Sequence, residues 1–85
     1  MECPIVVTVK LFAAYQEIYG LPEVKLEVAQ GTTVGEVGDR IRADHPALHS
    51  LAPITRYGIN LDFVAPEAIV QDGDEVVLIP PVSGG

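Results

Sequence analysis

The chain has 85 residues, of which 48% are hydrophobic and 20% charged, and its net charge is −7. This composition indicates a folded domain with one core and excludes a disordered chain. Its five lysine and arginine residues are scattered, which argues against nucleic-acid binding because phosphate contacts need clustered basic side chains. No apolar run approaches the ~20 residues of a membrane span, no signal-peptide pattern is present, and the single cysteine, Cys3, excludes an internal disulfide. We therefore expect a cytoplasmic protein with no membrane partner.

The first third of the chain predicts two strands joined by a short helix. In "PIVVTVKLF" (residues 4–12) every second position is apolar, which is typical of a strand with one buried face. The stretch "AAYQEIYG" predicts a short helix that ends at Gly20, because glycine readily adopts the left-handed conformation of a helix C-cap. The alternation in "EVKLEVAQG" (residues 23–31) predicts a second strand, antiparallel to the first.

The main helix is predicted to come next. Thr33 and Glu36 have the spacing of a capping box, and the apolar residues between positions 34 and 41 fall on one helical stripe. Gly38 lies beside that stripe. We expect it to pack closely on the sheet, because an interior glycine costs a helix ~1 kcal/mol relative to alanine. The regular helix is predicted to end near Asp44, ahead of a proline.

Two more strand patterns occupy the rest of the chain. Residues 56–64 predict a strand that is interrupted near Asn60 and Asp62, and residues 75–80 predict a strand that is apolar on both faces. The order strand, strand, helix, strand, strand indicates an α+β fold of the β-grasp type. In that fold a mixed sheet carries one main helix, and the first and last strands lie side by side and parallel in its middle.

The usual catalytic and metal-binding patterns are missing from the sequence. It contains neither G-x-x-x-x-G-K-[ST] nor G-x-G-x-x-G, so we expect no nucleotide site. His45 and His49 stand four residues apart, but Pro46 breaks the helical geometry between them, so exposed histidines are expected and no metal site. Cys3 has no activating neighbour, and the acidic residues 72–75 lack the ligand pattern of a calcium loop and predict a solvated turn. The chain is expected to bind no cofactor and to have no catalytic activity by itself.

The closing stretch "IPPVSGG" admits two interpretations. Pro80 and Pro81 favour an extended backbone and deny further ladder hydrogen bonds, so the chain must leave the sheet there. The two glycines could thread a channel too narrow for other residues, and they leave the carboxyl carbon unshielded against a nucleophile. The segment is therefore suited to presenting one carboxylate away from the domain. Composition alone does not separate this interpretation from a frayed terminus.

Four stretches resemble a known family: "VKLFAAYQEIYG", "GTTVGEV", "GIN" and "DGDEVVLIPPVSGG". Over nearly its whole length the chain resembles the MoaD/ThiS family of ubiquitin-like sulfur carriers, and within it the small subunit of molybdopterin synthase. The final stretch is the specific part of this resemblance. The short helix points the same way, because carriers of the thiamine pathway usually have a tight hairpin at that place. The resemblance implies a ubiquitin-like β-grasp domain at residues 1–80 and an extended diglycine tail at residues 81–85.

The resemblance also implies a mechanism. In this family a separate E1-like enzyme uses ATP to adenylate the C-terminal glycine, and a sulfur donor such as a cysteine desulfurase supplies the sulfur of a thiocarboxylate. The tail then enters the large subunit of molybdopterin synthase, in a heterotetramer, and donates sulfur to cyclic pyranopterin monophosphate to form molybdopterin. By this resemblance Gly85 carries the sulfur and Gly84 gives it clearance. The inserted arm would consist of Pro80, Pro81, Val82 and Ser83.

An apolar surface beside the tail contacts partners in this family. The corresponding positions here are Phe12, Phe63 and Ile79. Such a surface would explain a last strand that is apolar on both faces, because one face covers the core and the other covers a partner. Ordinary burial in the core is the alternative for each of the three side chains.

Other functions remain open at this point. One is a sulfur carrier for another pathway, such as thiamine, cysteine or tRNA thiolation, which "PPVSGG" and the short helix disfavour. Another is a ubiquitin-like protein modifier, which the sequence does not separate from a sulfur carrier because lysine can attack the same activated carboxyl group. A third is a plain interaction domain with an idle tail.

Overall fold

A mixed five-stranded sheet carries the fold in the computed structural model, which describes residues 3–80. The strand order is β2-β1-β5-β3-β4, with β1 and β5 parallel and the other pairs antiparallel. The predicted central, parallel pair of first and last strands is therefore confirmed. In chain order the elements are β1 (Ile5–Leu11), α1 (Ala14–Tyr19), β2 (Glu23–Val28), α2 (Val34–Ala43), a 3₁₀ helix (Pro46–Ile54), β3 (Arg56–Ile59), β4 (Asp62–Val64) and β5 (Glu75–Ile79).

One face of the sheet packs against α2 and the 3₁₀ helix to form the core. Along β1 the odd-numbered side chains are buried, and Val7 and Val9 have no exposed surface. The same alternation in β5 buries Val76 and Leu78. Apolar burial of this kind is the main favourable contribution to folding, and a chain without tryptophan achieves it here mainly with aliphatic side chains, together with Tyr15 and Tyr57.

A hairpin stands where the sequence predicted one interrupted strand. β3 and β4 pair across a two-residue turn in which Asn60 and Leu61 have φ angles of 49° and 76°. Two positive φ angles define the type I′ turn, whose twist matches that of a hairpin. Asparagine adopts this conformation readily, whereas leucine rarely does. The sheet therefore has five strands, and the prediction of four strands was wrong.

Both predicted helix caps are confirmed. Gly20 ends α1 in the left-handed conformation, with φ 79°. Thr33 caps α2 with a complete capping box, in which its hydroxyl accepts from the Glu36 N–H at 3.1 Å and the Glu36 carboxylate accepts from the Thr33 N–H at 2.9 Å. The regular helix ends at Ala43 with Asp44 as its C-cap, near the predicted end. These caps are local in sequence, which is why the pattern alone revealed them.

The 3₁₀ helix is an element that the sequence analysis did not predict. It buries Leu48 completely, although Leu48 lies beyond the end of α2. His49 is exposed as predicted, but the prediction of an exposed His45 was wrong. The His45 ring is half-buried and lies edge-on to the Tyr19 ring, with 4.6 Å between the ring centroids. Among residues 3–80, no helix is long and apolar enough to cross a membrane.

Gly38 packs closely against the sheet, as its position in the helix predicted. A methyl group at this position would lie 2.8 Å from Tyr57 Cε1 and 3.1 Å from Nη1 of Arg42. Both neighbours are buried, at 6% and 4% exposure, so they have little room to move. The missing side chain at Gly38 therefore makes space for the contact between Arg42 and Tyr57.

We expect Gly38→Ala to lower the free energy of unfolding by about 1–3 kcal/mol, because overpacking outweighs the better helix propensity of alanine. Urea denaturation measures this change. The reverse exchange at an exposed helix position, Ala43→Gly, is the control for propensity alone and should cost at most ~1 kcal/mol. A Gly38→Ala chain as stable as the parent would contradict the close packing.

Candidate functional site: an apolar groove on the open face of the sheet

The sheet face opposite the core carries a shallow apolar groove. Register places Lys10 of β1 beside Val77 of β5, Val77 beside Gly58 of β3, and Gly58 beside Phe63 of β4. Gly58 contributes no side chain, so the surface of the sheet is depressed between the side chains of Val77 and Phe63. The resulting cavity has a volume of about 330 Å³. Its floor is built by strand pairing, which gives it a rigid base.

Aromatic and aliphatic side chains form the walls. Phe12, directly after β1, is 46% exposed, and Phe63 in β4 is 71% exposed. Leu61 at the hairpin turn is 90% exposed, and Ile79 at the end of β5 is half-buried. Large apolar side chains gathered around one depression are typical of a protein-binding surface.

All three side chains expected at a partner surface, Phe12, Phe63 and Ile79, line this one groove. Their burial in the core, the alternative left open by the sequence, does not occur for the two phenylalanines. Their part in binding a partner stays a prediction. Of the predicted arm, Pro80 is buried, and the other predicted positions lie outside the described residues. Those positions are Pro81, Val82, Ser83, Gly84 and Gly85.

Sequence reasoning missed six residues of the groove: the uncharged Gly58, Leu61 and Val77, and the charged Lys10, Asp62 and Glu75. Val77 had a signal, because a strand that is apolar on both faces must cover something on each side. Gly58 had a weaker one, since a glycine inside a strand often marks a place where another group approaches closely. Leu61 had no signal in the sequence, because its exposure follows from the β3–β4 hairpin turn, which was predicted only as an interruption within one strand.

Charged side chains lie along one rim of the groove. The Lys10 ammonium is 3.0 Å from a Glu23 carboxylate oxygen and 3.9 Å from one of Glu75. The hydrogen bond to Glu23, and then the charges of Glu23 and Glu75, raise the pKa of Lys10 above its ordinary value. Asp62 also lines the groove. Two carboxylates thus contact the Lys10 ammonium and Asp62 adds a third acidic group to the groove, so a partner with basic groups around an apolar centre would complement it.

The acidic residues before β5 serve the turn. The Val6 N–H donates to Asp72 Oδ1 at 2.8 Å, and the Gln71 N–H donates to Asp74 Oδ2 at 2.7 Å. Asp74 also accepts from the Asn60 amide at 2.9 Å, which ties this turn to the β3–β4 hairpin. Within residues 3–80, no group of three or more His, Cys, Asp or Glu side chains is placed to hold a metal ion.

The family comparison extends over nearly all of the chain. The family profile described as "ThiS family" matches residues 9–85. The chain belongs to the ThiS family. The match starts inside β1 and includes every residue that lines the groove, as well as the diglycine segment.

Two relatives that match this chain over nearly its whole length carry different names. The molybdopterin synthase sulfur carrier subunit of Chlamydomonas reinhardtii is 36% identical over 81 residues, which cover 93% of this chain and 98% of the relative. The small archaeal modifier protein 1 of Haloferax volcanii is 36% identical over 84 residues, which cover 89% of this chain and 97% of the relative.

Structural comparison agrees with the family assignment. The crystal structure of SAMP1 from Haloferax volcanii superposes with a TM-score of 0.80 at 32% sequence identity, covering 94% of this chain and 99% of that one. The predicted ubiquitin-like β-grasp architecture is therefore confirmed for this ThiS-family chain. Its features are a mixed sheet with the main helix packed on it and a short helix between the first two strands.

Proposed function

We propose that this chain is the sulfur-carrier small subunit of molybdopterin synthase. The observation that carries the proposal is the 36% identity with the molybdopterin synthase sulfur carrier subunit of Chlamydomonas reinhardtii, over 98% of that relative's length. The apolar groove supports it, because β5, which lines the groove, leads directly into "PPVSGG". A partner seated on the groove would lie beside the start of that segment.

In the proposed reaction the carboxyl group of Gly85 is activated by another protein. A Gly85 carboxylate oxygen attacks the α-phosphorus of ATP on an E1-like enzyme, which forms an acyl-adenylate and releases pyrophosphate. The terminal sulfur of a persulfide on a donor such as a cysteine desulfurase then attacks the acyl carbon and displaces AMP, which gives an acyl disulfide. A thiol reduces the S–S bond of this intermediate, becomes part of a disulfide itself, and leaves the thiocarboxylate on Gly85. A carboxylate is a poor electrophile, and the sequence contains no nucleotide motif of its own, so the ATP chemistry is assigned to the partner.

The large synthase subunit would then receive the tail. The groove residues Phe12, Phe63, Val77 and Ile79 bind its surface, and the arm from Pro81 to Ser83 passes into its pocket with Gly84 giving clearance. Sulfur moves from Gly85 to cyclic pyranopterin monophosphate, and water restores the carboxylate. Residues 1–80 would thus bind the large subunit, and residues 81–85 would deliver the sulfur, within a heterotetramer of small and large subunits.

Reconstitution from purified components tests the proposal. The chain is charged to the thiocarboxylate, mixed with the large subunit and cyclic pyranopterin monophosphate, and molybdopterin is measured after oxidation to its fluorescent form. Formation of molybdopterin supports the proposal. No product, under conditions where a known small subunit gives product with the same large subunit, would refute it. A thiazole synthase in place of the large subunit tests the thiamine alternative.

A second candidate is a protein modifier. The 36% identity with the small archaeal modifier protein 1 of Haloferax volcanii favours it, and a lysine amine can attack the same acyl-adenylate. This candidate predicts isopeptide conjugates between Gly85 and lysines of other proteins in cells that express the chain. Mass spectrometry of affinity-purified conjugates would detect the branched peptides, and a sulfur carrier alone would give none.

A further inference from the structure

A buried arginine lies on the core side of the sheet, behind the groove. Arg42 of α2 is 4% exposed. Its guanidinium donates to the Tyr15 hydroxyl at 3.0 Å, to the Tyr57 hydroxyl at 3.1 Å and to Asp39 Oδ1 at 2.7 Å. Three elements, α1, α2 and β3, therefore meet at one side chain.

The direction of the hydrogen bonds follows from the donors. The Thr55 hydroxyl donates to the Leu51 carbonyl at 2.7 Å, so its proton is already used. The contact of 2.7 Å between the Tyr15 and Thr55 hydroxyls therefore has Tyr15 as the donor. A continuous chain runs from Arg42 through Tyr15 and Thr55 to the backbone of the 3₁₀ helix. Each hydroxyl in it is fixed in orientation, which makes the network rigid.

The guanidinium stays charged inside this network. Burial opposes the charge, but hydrogen bonds with Tyr15, Asp39 and Tyr57 outweigh that effect and raise the pKa of Arg42 overall. A buried, paired arginine is weak evidence for stability, because aliphatic residues of similar volume often stabilise a core as well or better. The planar fork of donors offers something that an aliphatic side chain lacks, which is a fixed geometry for several partners at once.

The first arm of the network reaches Phe12. Tyr15 has no exposed surface, and its N–H donates to the Phe12 carbonyl at 3.0 Å. Between them Ala13 has φ 50° and ψ −124°, a conformation that is strained for a residue with a side chain. Such strain persists only where the surroundings hold it in place. The anchored Tyr15 supplies that hold, and the strained turn leaves Phe12 on the open face of the sheet.

The second arm reaches the other wall. Tyr57 pairs with Val64 and Leu78 across the sheet, and the next residue, Gly58, forms the floor of the groove. Gly58 is in turn the register partner of Phe63. Each wall of the groove is thus close to a tyrosine hydroxyl that Arg42 holds. Phe12 lies three residues before Tyr15, and Phe63 pairs with the residue that follows Tyr57.

We propose that Arg42 is a positioning residue for the groove, holding Phe12 through Tyr15 and the Gly58–Phe63 pair through Tyr57. The proposal rests on the proposed function in one respect, that the groove is the docking surface for the large subunit. Preorganised side chains bind more tightly because less conformational entropy is lost on association. Release of the two walls should therefore weaken docking even in a chain that remains folded.

The test uses Arg42→Met, which keeps an apolar stem and removes every donor. Phe12 and Phe63 are the only two phenylalanines, so incorporation of 4-fluorophenylalanine labels one residue on each wall. We expect both fluorine signals to shift or broaden, and the Kd for the large subunit to rise about tenfold, since each loosened side chain weakens binding several-fold. The control is Thr33→Ala, which removes the capping box, lowers stability and touches neither the network nor the groove.

The outcomes separate the two proposals. Unchanged fluorine signals and an unchanged Kd in Arg42→Met would overturn the positioning role, as would an equal loss of affinity in Thr33→Ala. If the parent chain does not bind the large subunit, the proposed function fails, and the fluorine signals alone decide whether Arg42 positions the walls. If Arg42→Met does not fold, Tyr15→Phe takes its place, and a Kd equal to that of the parent overturns the proposal.

Discussion

Deletion of Gly85 is expected to abolish molybdopterin formation while the domain stays folded. The shortened chain would end about 3.3 Å earlier in an extended conformation. Reacting groups must approach to within about 3–3.5 Å in the correct orientation, and a misplacement of 1 Å can cost roughly 100-fold in rate. We therefore expect at least a ~100-fold loss of product in the reconstituted reaction.

Two controls belong to this experiment. Calorimetric titration with the large subunit should show little loss of affinity, because the groove lies within residues 10–79 and stays intact. Ser83→Ala alters the arm without changing its length and should retain most of the activity. Product formation by the deleted chain at more than a tenth of the parent rate would remove Gly85 from the proposed chemistry.

Phe63→Ser is expected to weaken binding of the large subunit strongly. The same substitution should lower the free energy of unfolding only slightly. The Phe63 side chain is 71% exposed, so the fold gains little from it. In a complex the same ring would be covered, and aromatic side chains at the centre of an interface typically contribute about 2–4 kcal/mol. The Kd should therefore rise by roughly 30- to 1,000-fold.

A matched variant on another surface separates the groove from general hydrophobicity. Ile69 is 54% exposed and lies outside the groove. We expect Ile69→Ser to leave the Kd within about twofold of the parent, because near-neutral effects are usual away from an interface. Equal losses in the two variants, or no loss in Phe63→Ser, would show that the large subunit does not use the groove.

Local patterns predicted much of the fold. The alternation in β1 and β2, the C-cap at Gly20 and the capping box at Thr33 depend on residues that are neighbours in sequence, and the structure confirms each of them. The hairpin was missed because Asn60 and Leu61 both take positive φ angles, which leucine does not signal. The 3₁₀ helix was missed because its two prolines break every regular period.

The site was predicted in outline only, for a related reason. The family resemblance marked Phe12, Phe63 and Ile79 as a partner surface, and a last strand that is apolar on both faces agreed with it. Gly58 acts through the register of three strands, which no single stretch of sequence encodes. Arg42 reads in the sequence as one of five scattered basic residues, and its burial follows from two tyrosines that lie 27 and 15 residues away.

Intact-mass spectrometry tests whether sulfur is carried on the Gly85 carboxyl group. The chain is incubated with an E1-like activating enzyme, ATP and a sulfur donor, beside a known carrier as control. We expect a mass increase equal to the exchange of one oxygen for one sulfur, located by fragmentation on Gly85. An unchanged mass, with the control carrier modified in parallel, would contradict it.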